Sequence, residues 1–133
     1  MKQQEWNRYL KQAKHTLASA RRDCTAEDFD WACFKAHQAG ELILKGWLRS
    51  TDHFVTGHSI VNLLEQLKPE IEVPPTLQKC ARELDKVYIP SRYPDAYIEG
   101  APIDFYDQAD AGASIDCVEK ILEFIENLAN HAR

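Results

Sequence analysis

His37, Gln38, Glu41 and Lys45 recur three or four positions apart within 29–48, the most apolar stretch of the chain. That spacing puts them on one face of a helix. The stripe is a solvated edge, a polar network or a site. Glu41 and Lys45 stand in the favourable i, i+4 order, worth about 0.2–0.5 kcal/mol on an exposed face. Inside an apolar helix the same charges need further partners, because an unpaired buried charge costs several kcal/mol. Arg92, Asp95 and His58 are the candidates. One expectation is therefore a network of His37, Gln38, Glu41, Lys45 and Asp95 that pins the 89–96 loop onto this helix.

A second group is cationic. Lys79, Arg82 and Lys86 share a helix stripe that continues toward Arg92. Such a stripe is either an ordinary solvated face or a phosphate-binding rim, with Tyr93 or Tyr97 available to stack on a base. Arg92 offers a planar fork to a phosphate, or equally to a carboxylate such as Glu41 or Asp95. Pro90 and Pro94 restrict Ile89 and Tyr93 to extended conformations, so Arg92 is expected on a stiffened segment. His58, directly after Gly57 at a helix start, could donate to a ligand phosphate or lack a ligand altogether.

The elements that must carry these groups are helical. Residues 2–22 follow an amphipathic pattern through Trp6, Tyr9, Leu10, Ala13, Leu17 and Ala20. Thr25 and Asp28 form a box-like start signal for the central helix, which is expected to stop near Arg49 before the turn chemistry of Ser50-Thr-Asp-His53. That helix is apolar on nearly every side, so its neighbours must surround it. Ile60, Leu63, Leu64 and Leu67 mark a short third helix. Pro75 suits the first position of a fourth, which carries Leu77, Cys80, Ala81, Leu84 and Tyr88 on one face and must end by Pro90. Residues 89–104 hold three prolines and a glycine and read as a long irregular connection. A last helix from about Asp107 to Ala129 turns Ile115, Val118, Leu122, Ile125 and Ala129 inward. No strand alternation is present, so the fold expected is all-α, an up-and-down bundle of about five helices in one domain, 1–133.

Composition narrows the function classes. A formal charge of −5 gives no general electrostatic footprint for nucleic acid, so any such contact must be local. Four cysteines without a CxxC pair, no apolar leader and no membrane-length apolar run point to a reduced, cytoplasmic protein. The five histidines do not combine with cysteines at zinc-site spacings, so neither metal nor cofactor is expected. Phe54, Trp6 and Trp31 read as core or dimer contacts.

Several of these stretches, taken together, resemble the HEPN family (higher eukaryotes and prokaryotes nucleotide-binding domain). They are Trp6 and Leu10, the core Ala36-His-Gln-Ala-Gly-Glu-Leu-Ile-Leu-Lys45, Gly57-His58, and Leu84-Asp-Lys-Val-Tyr-Ile-Pro-Ser-Arg-Tyr-Pro-Asp-Ala96. The resemblance implies a helical bundle that dimerises and frequently pairs with a small nucleotidyltransferase in a toxin–antitoxin-like arrangement. Many members are metal-independent RNases with Arg-x(4–6)-His near the last helix. Here Arg49 and His53 have three residues between them and Arg49 and His58 eight, while Arg8 and His15 match only in helix one. The implied function is a nucleotide-binding or nucleotidyltransferase-partner module. Its alternative is a metal-independent ribonuclease toxin with a degenerate site, in which Arg92 would hold the phosphate and His58 would act as the base, and nucleotide or RNA is the expected ligand.

Overall fold

The computed structural model describes residues 1–88 and 93–132. Five α-helices follow in chain order: α1 (Gln3–Thr25), α2 (Phe29–Ser50), α3 (Ile60–Glu65), α4 (Pro75–Lys86) and α5 (Gln108–His131). There is no strand among the described residues. The connection before α5 is less irregular than its composition suggests, since Pro94–Ala96 and Pro102–Phe105 each form a 3₁₀ turn. Proline at the first position of such a turn loses no hydrogen bond.

Helix α2 is the hub and packs against α1, α3, α4 and α5. Its Ala32, Cys33, Ala36, Ala39, Ile43, Leu44 and Leu48 are fully buried, as its all-round apolar pattern requires. Two glycines let neighbours approach its backbone. A Cβ on Gly40 would lie 2.8 Å from Ile60 Cδ1, and one on Gly46 would collide with Tyr9 Cβ. The α1–α2 connection is tighter than the sequence pattern suggests. Thr25 belongs to the last turn of α1, where its hydroxyl donates to the Arg21 carbonyl, so it does not cap α2. The cap position falls on Asp28, without a side-chain hydrogen bond, after Glu27 turns at φ 65°.

A short turn makes α1 and α2 antiparallel, which brings the start of α1 to the end of α2. There the Lys2 amide donates to the Ser50 carbonyl at 2.8 Å, and Trp6 meets Trp47 edge to face at 6.1 Å. Trp6 lies in the core, but Trp31 is 46% exposed and Phe54 89% exposed, so neither of these is a core residue. Helix α5 starts with a reciprocal capping box between Asp107 and Asp110. No described helix is long and apolar enough to cross a membrane.

Candidate functional site

Two carboxylates organise the polar edge where α2, α3 and α4 meet. The first is Asp85, in the last turn of α4. Its Oδ1 accepts from His37 Nε2 at 3.0 Å and the Ile60 amide at 2.8 Å. Its Oδ2 accepts from the Ser59 hydroxyl at 2.9 Å and the Val61 amide at 3.0 Å. The first amides of a helix have no partner within it. Asp85 therefore caps α3 from another helix, while Ser59 caps it locally by accepting from the Asn62 amide.

His37 is fully buried and stacks on Tyr88, with ring centroids 4.4 Å apart and planes 30° apart. Burial pulls its pKa below the ordinary imidazole value, against the opposing pull of Asp85. The neutral ring must carry its proton on Nε2, since a carboxylate only accepts. Nδ1 is then a buried acceptor without a partner among the described residues.

The second carboxylate is Glu41, one turn along α2. Its Oε1 accepts from His58 Nδ1 at 2.9 Å and its Oε2 from Lys45 Nζ at 3.1 Å. Glu41 and Lys45 are only 12% and 13% exposed at the side chain, whereas His58 is 60% exposed. Gly57 delivers His58 to this position through a left-handed turn, φ 85°. Glu41 thereby fixes the tautomer of an exposed imidazole, leaving Nε2 able to accept a proton or, once protonated, to donate to an anion. The His58 ring stacks on Tyr88 at 5.6 Å and 26°.

Tyr88 thus links the two histidines. With His58, Ser59 and Asp85 it lines an open pocket of about 310 Å³. The aromatic surface continues through Phe34, stacked on Tyr88 at 6.1 Å, to the half-exposed Trp31. Aromatic faces beside a hydrogen-bonding edge suit a planar base.

The remaining candidates lie elsewhere. Gln38 and Asp95 are exposed and take no part in the His37–Asp85 or Glu41 networks among the described residues. The network expected to hold the loop instead holds α3. Lys79, Arg82 and Lys86 lie on α4 outside the His58 pocket, with Lys86 bound to Glu83 at 3.2 Å. Tyr93 is half-exposed. Tyr97 stacks on Phe105 at 4.1 Å and donates its hydroxyl to Tyr106. Arg92 lies outside the described residues. Among the described residues no cluster of three or more His, Cys, Asp or Glu could hold a metal.

Asp85, Ser59 and Tyr88 were not singled out for this site by sequence. A signal existed: Ala81, Asp85 and Tyr88 are spaced four and three apart, which places a carboxylate on the half-buried edge of an apolar stripe.

The HEPN domain model matches residues 6–128. The chain is similar to TT1696 from Thermus thermophilus, with 39% identity over 96% of this chain and 98% of that one and a TM-score of 0.90. ST0689, an archaeal HEPN homologue, shares 36% identity over 92% and 96% of the two chains, TM-score 0.79. A HEPN domain protein from Thermotoga maritima, tm0613, shares 30% identity over 92% and 98%, TM-score 0.77. No curated protein matches the chain.

Proposed function

The chain belongs to the HEPN domain family, and from that premise we propose that it is a nucleotide-binding module whose ligand sits on the Tyr88–His58 face. The observation that carries this reading is the pocket itself. An imidazole of fixed tautomer and an aromatic ring stand together on its wall. The base would lie on the aromatic surface, and the phosphate would take a hydrogen bond from protonated His58. Arg92, for its planar fork, and Tyr93, for its ring, are the further nucleotide-binding residues proposed from the sequence. The cations Lys79, Arg82 and Lys86 form at most an outer electrostatic rim.

Titrating AMP, ATP and a short single-stranded RNA against the melting temperature tests the reading. A ligand at 100 times its Kd raises stability by about 2.7 kcal/mol. His58→Ala and Tyr88→Ala should remove that gain. The absence of any shift with all three ligands would refute nucleotide binding.

One observation favours a second reading, a metal-independent ribonuclease. Glu41 behind His58 is the arrangement that readies an imidazole to take the ribose 2′-hydroxyl proton, with Arg92 as the phosphate holder. Cleavage of single-stranded RNA in the presence of a chelator, abolished by His58→Ala and weakened by Glu41→Gln, would establish it. Intact RNA after prolonged incubation would leave the binding module.

The module is proposed to act as a two-fold homodimer paired with a small nucleotidyltransferase, in a toxin–antitoxin-like arrangement in the cytoplasm. The exposed Trp31, Ile98, Ile103 and Phe105 support an interface. Four free cysteines fit a reducing compartment. Sedimentation at micromolar concentration should give a dimer, and a monomer would contradict it.

A further inference from the structure

Arg49 extends the α2 stripe by one turn beyond Lys45, yet no carboxylate pairs with it among the described residues. Its partners are neutral. Nη1 donates to the Tyr9 hydroxyl at 2.7 Å, Nη2 reaches the Val55 carbonyl at 3.5 Å, and the guanidinium lies 5.7 Å from the Tyr9 ring centre. Neutral acceptors hold a guanidinium in place without cancelling its charge. The side chain stays exposed.

Arg49 lines an open pocket of about 520 Å³ together with Lys2, Asp52, His53, Phe54 and Val55. That volume falls among small-molecule sites, roughly 300–1,000 Å³. Lys2 is brought there by the hydrogen bond its amide donates to the Ser50 carbonyl, and its ammonium engages Asp52 at 2.8 Å. Asp52 is thus answered within the pocket and Arg49 is not. Glu5 also lines the pocket and opposes an anion. The Phe54 ring stands 89% exposed at the same pocket, an apolar surface left in water beside a fixed cation.

We infer that this pocket is a second anion site, which takes a phosphate ester of a planar base, with the phosphate on the Arg49 fork and the base on the Phe54 ring. The guanidinium presents paired N–H groups matched to phosphate oxygens, and an aromatic face accepts any base. The site goes beyond the His58 pocket. The two flank one loop, 51–59, and share no lining residue.

The test is NMR of the intact protein, following the Arg49 side-chain Nε–H, the Phe54 ring and the His58 ring during titration with AMP, inorganic phosphate or adenosine. AMP should move both Arg49 and Phe54, phosphate alone should move only Arg49, and adenosine alone should be much the weaker ligand. Arg49→Gln should weaken the AMP response at Phe54 about tenfold, the scale of one lost charge-assisted contact, while the His58 response persists. Glu5→Gln should tighten it by removing a like charge. Should Arg49→Gln lower the melting temperature, Phe54→Ala tests the stacking half at an exposed position. AMP leaving Arg49 and Phe54 unmoved, or binding equally to wild type and Arg49→Gln, would overturn the site. Loss of the His58 response alone would count against the proposed function and leave this site standing.

Discussion

Two histidine–carboxylate pairs flank one tyrosine in this molecule, and they do opposite work. His37 and His58 both stack on Tyr88, and each donates a ring N–H to a carboxylate, Asp85 or Glu41, at close to the same distance. The His37 ring is sealed from solvent, and all four contacts of Asp85 go to protein donors. The His58 ring is largely exposed, and Glu41 gives its second oxygen to a shielded lysine. The same imidazole–carboxylate pairing is a structural clamp where the ring is sealed from water and a presentable reagent where the ring is exposed. Burial decides which.

Four substitutions should grade that contrast. The largest effect belongs to Asp85→Ala, which strands the His37 proton and the first amides of α3. It should cost about 3 kcal/mol or more by chemical denaturation. Glu41→Ala comes next, since it leaves the shielded Lys45 without its partner, at about 1–3 kcal/mol. Third is a pH effect on the buried pair. The folded pKa of His37 is depressed, so below the ordinary imidazole value of about 6.5 the unfolded chain binds the proton more readily than the folded one. Its contribution is fully present above that value and is lost as pH falls below it. Stability measured from pH 7.5 to 5 should fall in wild type and fall less in His37→Gln. The smallest stability effect is that of His58→Ala, about 0.5 kcal/mol, as for other exposed sites. A loss as large as that for Asp85→Ala would erase the distinction between the two pairs.

The fold was legible because hydrophobic periodicity is a local signal. Five helices appear where Trp6, Ile43, Leu64, Leu84 and Ile125 repeat at helical spacing, and their residues form the core. The stripe on α2 was legible for the same reason, including the Glu41–Lys45 pair. Of the partners expected for that stripe, His58 does meet Glu41; what escaped was Asp85. Asp85 lies 48 positions from His37 and reaches it only through the α2–α4 packing angle, which no local pattern encodes. Of the two readings of Phe54, core or dimer contact, its exposure removes the first. An aromatic residue in a loop can face the core or a partner, and only the chain path decides between them. Thr25 failed as a cap because α1 continued through it, a boundary error of a few residues that local propensity leaves open.

The most direct test of the contrast is a single titration of AMP into the folded protein with ¹⁵N-labelled histidine, observing all ring nitrogens in one spectrum. His58 should show protonated Nδ1 with unprotonated Nε2, and His37 protonated Nε2 with unprotonated Nδ1. AMP should then shift His58 while His37 holds still. A shift at His37 with His58 unmoved, or a His58 ring protonated on Nε2 alone, would contradict the division of labour between the two pairs.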